Sequence, residues 1–384
     1  MKPNTAPRSE RGKPRFILFG GFIGAGRTTL LAALGEYLKA RGVKAGLITN
    51  DHGTELTDTT LLRARGFSTE EVLGGCFSCD FRLLSEAAAR LQNSSQAEVF
   101  VAEPVGTCTE IVATLLQPLQ AASGGRIAIA PLSIVVDPVR AARILGLESG
   151  SRFSEKIAYI FRKQLGEAEF IVINKSDTLT AEKTKKLRQA LAQHNPGAKM
   201  FEVSGRTKTG LEEWFECLLS EEHSRRDPIQ VDRSIASEGE ALLGWLNCNV
   251  RISSIRYFEP SKILMDLAAY LQSILQQEGI EVAHLKMMLS PDENFGEFAA
   301  LNLVRSNSAP ELSGEISEPI QSGGLILNLR AEADPEVLHS AVNRALLALM
   351  EKSSELFSRM EHCEHFRPGK TKIAPGRAAS VLQV

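Results

Sequence analysis

Apolar positions along the chain follow two rhythms. Short continuous runs at Phe16–Phe19, Val43–Ile48, Glu98–Ala102, Ile127–Val136, Phe170–Ile173 and Lys199–Val203 predict six strands, most of them buried on both faces. Helical spacing fills the gaps between them. Leu30, Leu34, Tyr37 and Leu38 recur on one face, as do Phe153, Ile157, Ile160 and Phe161, and Asp80–Gln92 reads as a further helix. Strands alternating with helices over residues 15–220 predict an α/β domain with a doubly wound, mainly parallel sheet.

The pattern changes beyond that point. Residues 221–240 are polar and charged and read as a linker. Residues 241–384 predict a smaller α+β domain. Its strands fall at Leu246–Ile255, Val282–Leu289, Ala299–Val304 and Leu325–Leu329, its helices at Pro260–Glu278 and Pro335–Glu351, and Asn307–Gly324 reads as a long loop. This half carries no catalytic signature, so contact with a partner or client and a purely structural role both fit it. Residues 1–14 are polar and basic, lack the apolar core of an export signal, and are expected to form a disordered tail.

Composition excludes several function classes. In 384 residues, a net charge of −2 gives no basic face for nucleic acid. No apolar run approaches the ~20 residues of a membrane span. Six cysteines in a chain this long do not suggest a disulfide scaffold. A reducing, cytoplasmic setting is expected, so close cysteines are weighed as metal ligands or thiols.

The chemistry gathers at the predicted strand ends. After the first strand, Gly21, Gly24 and Gly26 lead into Arg27, Thr28 and Thr29, the G-x-x-x-x-G-K-[ST] pattern with arginine in place of lysine. Strand, glycine loop and helix N-terminus together aim backbone N–H groups at an anion, here a phosphate. Arginine is longer and forked where lysine is a point charge, so nucleotide binding should survive the exchange more readily than fast hydrolysis. Asp51, in Thr49-Asn-Asp-His-Gly53, and Glu103, in Glu103-Pro-Val-Gly106, are placed to hold Mg²⁺, and Gly106 to offer an N–H to the terminal phosphate. The string Asn174-Lys-Ser-Asp177 at a strand end suits guanine, whose ring N–H and amine match the carboxylate. Ser204-Gly205 would cap the base.

Cys76 and Cys79 form a C-x-x-C pair before a predicted helix, where a helix N-terminus favours thiolate. A metal pair, a redox pair and two packed cysteines all fit, and Cys108 is a candidate third thiol. Near the end, His362, Cys363 and His365 are crowded. On a helix the two histidines would share a face and bind metal, and a polar helix end fits equally well.

In order, GGFIGAGRTTLL, TNDHG, GGCFSC, AEPVGTC, VVDP and NKSD resemble the CobW family of P-loop GTPases, close to its cobalamin-synthesis and nitrile-hydratase-activator members. The resemblance covers about residues 1–220. It implies a P-loop NTPase fold and a metallochaperone or cofactor-insertion GTPase that uses GTP, Mg²⁺ and a transition metal such as Zn²⁺. Gly21, Gly24, Ala25, Gly26, Arg27, Thr28 and Thr29 would hold phosphates, and Thr28, Asp51 and Glu103 the Mg²⁺. Arg27, Thr28 and Glu103 would serve hydrolysis, and Asn174, Lys175, Asp177 and Ser204 the base. Cys76 and Cys79 would bind the metal. Expected partners are a client metalloenzyme or corrinoid protein and a second copy of the chain. The family's C-x-C-C motif has Ser78 in its middle position, which removes one thiolate. Three functions compete: a slow GTPase that drives metal delivery, a non-hydrolysing nucleotide-dependent adaptor, and a thiol redox protein.

Overall fold

A computed structural model describes residues 13–50, 57–73, 75–150, 152–224, 227–293, 296–314, 316 and 318–368. The elements run β1 (Arg15–Gly20), α1 (Arg27–Ala40), β2 (Ala45–Asn50), α2 (Thr57–Ala64), β3 (Ser68–Val72), α3 (Phe81–Ser95), β4 (Val99–Glu103), α4 (Gln117–Ser123), β5 (Ala128–Ile129), β6 (Ser133–Val136), α5 (Pro138–Ile144), α6 (Glu155–Glu167), β7 (Phe170–Ile173), α7 (Ala181–His194), β8 (Lys199–Glu202), α8 (Leu211–Ser220) and α9 (Arg233–Ala241). The second part holds β9 (Gly244–Phe258), α10 (Pro260–Gln277), β10 (Val282–Pro291), β11 (Ala299–Leu303), β12 (Glu311–Ser313), β13 (Ile320–Ala331), α11 (Pro335–Lys352) and β14 (Leu356–Phe366).

The first sheet has the order β3-β2-β4-β1-β6-β7-β8, with β5 beside β1, and its pairings are parallel. It is a P-loop NTPase-type doubly wound sheet. Strand β1 shows why its residues are apolar throughout. Phe16 and Leu18 enter one core while Ile17 and Phe19 enter the other, so both faces are covered. Two differences from the sequence reading have local causes. The run Ile127–Val136 splits into β5 and β6 around Pro131, which has no N–H for a ladder. Strand β3, Ser-Thr-Glu-Glu-Val, is an edge strand whose polar residues hid it.

The second sheet is antiparallel, in the order β12-β11-β10-β13-β9-β14. Helices α10 and α11 cover one face, with Leu264, Leu271, Leu338 and Val342 packed on Leu246, Val250 and Leu327. Trp245, Ala283 and partly buried Phe366 join the core of the first sheet instead. The stretch read as a linker contains α9. Asp232 caps it by accepting from Ser234 and Ile235 N–H, and Gly239 lies so close to Lys156 that a Cβ would meet its carbonyl oxygen at 2.5 Å. The stretch read as a long loop supplies β12 and the first residues of β13. The crowded stretch from Glu361 to Phe366, for which a helix was one reading, belongs instead to β14.

Candidate functional site

In the parallel sheet, β1 lies where the order reverses, with β4 on one side and β6 on the other. A crevice at the carboxyl ends of the strands belongs there. Two positions of the loop after β1 cannot take side chains. Gly21 has φ 127°, and a Cβ there would stand 2.3 Å from the Val135 carbonyl oxygen. Gly26, at φ 90°, would drive a Cβ to 2.4 Å from Asn174 Nδ2. Gly26 also starts α1 without a side-chain cap, so the first-turn N–H groups have no side-chain acceptor from that position. Those N–H groups and the glycine backbone have the geometry of an anion cradle.

Around the cradle, Thr28 Oγ1 donates to the buried Glu103 carboxylate at 3.0 and 3.3 Å. Arg27 Nη1 donates to the Pro104 carbonyl. A Cβ on Gly106 would come within 3.0 Å of Arg27 Nη2, so the forked side chain lies along the 103–106 loop. Thr29 is exposed and Ala25 is buried. Asp51 lies outside the described residues.

Asn174 is a buried brace. Its Nδ2 donates to the Ala25 carbonyl at 2.9 Å, and its Oδ1 accepts from Gly205 N at 3.0 Å. Ser204 is buried, and its Oγ accepts from Thr207 N within its own loop. Lys175 Nζ donates to the Gly24 carbonyl at 3.0 Å and to Asp137 at 2.9 Å. Asp177 is exposed beside them. A small cleft is lined by Lys175 and Thr178 on one side and by Asn302, Arg305 and Glu311 on the other.

Residues missed by sequence reasoning tie this edge to the second sheet. Arg140 is buried and donates to the carbonyls of Ile23, Ala283 and Val304. Burial pushes its guanidinium down to about 10, so it stays charged at neutral pH. Asp137, the cap of α5, receives Lys175 and Arg305, the latter at 2.8 and 3.0 Å. Burial alone would raise the Asp137 carboxyl. The charges of Lys175, Arg305 and Arg140 outweigh burial and hold it well below the usual range. The pattern Asp137-Pro138 was visible as a strand stop, but no spacing could reveal partners 168 residues away.

Residues 15–202 match the CobW/HypB/UreG nucleotide-binding domain. This domain belongs to the CobW/HypB/UreG family. Family members are P-loop GTPases involved in metal delivery. Among solved structures, the chain is similar to HypB from Helicobacter pylori in complex with nickel, at 18% identity over 54% of this chain and 86% of that one, with a TM-score of 0.40. It is similar to the Zn(II)-bound YjiA GTPase from E. coli at 15% identity over 87% and 99%, with a TM-score of 0.35. Likenesses at these scores carry no argument of their own. The curated proteins contain no significant match.

Within this CobW/HypB/UreG domain, the cysteines stand next to the cradle loops in sequence. Cys76 Sγ lies 3.1 Å from Cys108 Sγ, both buried, so the third thiol does reach the first. Cys79 also touches Cys76, but its sulfur does not close a three-thiol group. The expected thiolate is not favoured here. The hydrogen bond to Cys108, with burial, pushes the Cys76 thiol well above its ordinary range. Asn50, another residue not singled out, holds the cysteine loop. It donates to the Val72 and Gly75 carbonyls and accepts from Phe77 N at 3.1 Å.

The crowded histidines separate. His362 is exposed on β14, while Cys363 and His365 meet His339 of α11. Among the described residues no helix is long and apolar enough to cross a membrane.

Proposed function

We propose that the protein binds GTP at the carboxyl edge of the parallel sheet and hydrolyses it slowly to drive delivery of a metal, or of a metal-containing cofactor, to a client metalloenzyme or corrinoid protein. Gly21, Gly24, Ala25, Gly26, Arg27, Thr28 and Thr29 hold the phosphates, and Gly106 offers its N–H to the terminal one. Thr28, Asp51 and Glu103 hold Mg²⁺, whose chemistry is to neutralise charge on the terminal phosphates. Asn174 and Ser204 position the base loops, and Lys175 and Asp177 meet the base. Cys76, Cys79 and Cys108 take the cargo ion, which requires Cys79 to close on the other two.

One observation carries this reading. The segment 103–108 begins with a carboxylate bonded to Thr28 and ends with a thiol 3.1 Å from Cys76. A movement of Glu103 toward a phosphate-bound ion is therefore transmitted within five residues to the cysteine pair.

Arg27 favours a second reading, a nucleotide-dependent adaptor without useful turnover, because its guanidinium is committed to the Pro104 carbonyl. Titration with fluorescent GTP and ATP in Mg²⁺, followed by single-turnover assays of wild type and Arg27→Lys, separates these. The GTPase reading expects at least ~10-fold preference for GTP and measurable hydrolysis by wild type that rises about tenfold in the lysine variant, the effect of about 1.4 kcal/mol in the barrier. Hydrolysis by the lysine variant alone supports the adaptor. Tighter binding of ATP overturns both.

A further inference from the structure

His339, Cys363 and His365 each offer one donor atom, and these atoms lie within 4.8 Å of one another. They come from two elements of the second sheet, far in sequence from the phosphate loop. We propose that these three residues, completed by Cys248, form a separate metal site for a borderline divalent ion of the Zn²⁺ class.

The backbone explains why these donors meet. Strands β9 and β14 pair antiparallel with Met360 opposite Val250, His362 opposite Asn249 and Cys363 opposite Cys248, the register shifting between Met360 and His362. The extra residue is Glu361. A one-residue bulge reverses which side chains point to each face. Ser358 and Met360 face the helices before it, and Cys363 and His365 face them after it, opposite buried Cys248 and Leu246. His362 is turned to the outer side beside Glu364. Without the bulge, His362 and Glu364 would face α11, and Cys363 would turn away from Cys248 and His339.

The donor set fits one class of ion. Two thiols and two imidazoles are the Cys₂His₂ combination that suits tetrahedral Zn²⁺. The sulfurs of Cys248 and Cys363 are in contact as free thiols. The His339 and His365 rings stack with centroids 4.6 Å apart. Around a tetrahedral ion, such donors stand about 3.3–3.8 Å apart, so His339, Cys363 and His365 need about 1 Å of side-chain rotation, and Cys248, which touches Cys363 but lies outside the 4.8 Å group, has to move further. His365 is already oriented as a ligand would be. Its Nε2 meets Glu336 Oε1 at 3.0 Å, while its Nδ1 is buried without a hydrogen-bond partner. A carboxylate on the far nitrogen is the usual support for a metal-bound imidazole. His339 is held by Asn343 one turn on, with Nδ2 3.2 Å from Nε2. Binding releases the thiol protons to solvent.

The site does not depend on the nucleotide reading, and its test uses no nucleotide. Full-length protein carrying Cys76→Ser and Cys79→Ser, stripped with chelator, is titrated with Co²⁺ and then with Zn²⁺. The expected result is one equivalent of Co²⁺ with tetrahedral d–d bands and a thiolate charge-transfer band, both displaced by Zn²⁺. Cys363→Ser should abolish the charge-transfer intensity or cut it at least by half, and His339→Gln should weaken Zn²⁺ binding at least ~10-fold, a typical loss for a ligand or its support. His362→Ala should change neither. His339→Gln, on the surface of α11, keeps the test decisive if the strand variant folds poorly. An unchanged Co²⁺ spectrum in Cys363→Ser, or a weak octahedral spectrum in the parent, overturns the proposal. Failure of GTP binding in the same protein leaves this result untouched.

Discussion

Cys76, Cys79 and Cys108 stand on two loops at the edge of the parallel sheet, whereas His339, Cys363 and His365 stand on a helix and a paired strand. The loop cysteines are joined to the cradle through the Glu103–Cys108 segment and through Asn50. The second group is fixed by ladder pairing with β9 and by packing of α11. Loops can be redrawn by a ligand at modest cost, while moving β14, although it is an edge strand, breaks its long ladder with β9. The difference teaches that, under the proposed function, the loop group is the one placed to respond to nucleotide, while the second group is built to hold its geometry. Arg140 and Asp137 stand between the two regions and tie the loop edge of the first sheet to the second.

Three measurements break or sharpen this contrast. The largest effect is expected at Arg140→Ala, which removes a buried cation and orphans the carbonyls of Ile23, Ala283 and Val304. Thermal unfolding should show a loss of about 3–5 kcal/mol, and protease nicking between the sheets should rise. A loss near zero would mean that the two regions are not clamped by this residue.

Asp137→Asn should cost about 2 kcal/mol at neutral pH, because Lys175 and Arg305 lose their shared counter-charge. The sign follows from the depressed carboxyl. Its stabilisation is present above the unfolded value of about 4 and is lost as pH falls toward the lower folded value. The gap between the denaturant midpoints of wild type and variant should therefore narrow steadily as pH falls below ~4, and a gap that does not shrink with falling pH would refute the assignment.

The smallest effect concerns Cys108→Ser. Metal retained by the Cys76 group should fall about tenfold, or about 1.4 kcal/mol, in the GTP-bound protein. Metal retained by the second group, in protein carrying Cys76→Ser and Cys79→Ser, should be the same with GTP, with GDP and without nucleotide. Equal nucleotide dependence at both groups would erase the contrast drawn between them.

Much of the phosphate-loop edge was legible in the sequence because its chemistry is local. Gly21, Gly24, Gly26 and Thr28 lie within one turn of chain, and their spacing implies the loop by itself. Asn50 was legible as part of a motif but not as a brace, since its partners at Val72, Gly75 and Phe77 come from another connection. The β3 edge and β14 were missed for one reason. Edge strands with polar outer faces carry weak periodicity, and in β14 a bulge interrupts even that.

The sequence alone determined the alternation of strands and helices, the glycine cradle and the family of the first domain, because each depends on residues a few positions apart. Tertiary structure alone decided that Arg305 joins Asp137 and Lys175, that Cys108 meets Cys76, and that His339 replaces His362 beside Cys363. Those pairings depend on sheet register and on the packing of helices over it, and a shift of one residue in register exchanges the faces on which every side chain lies.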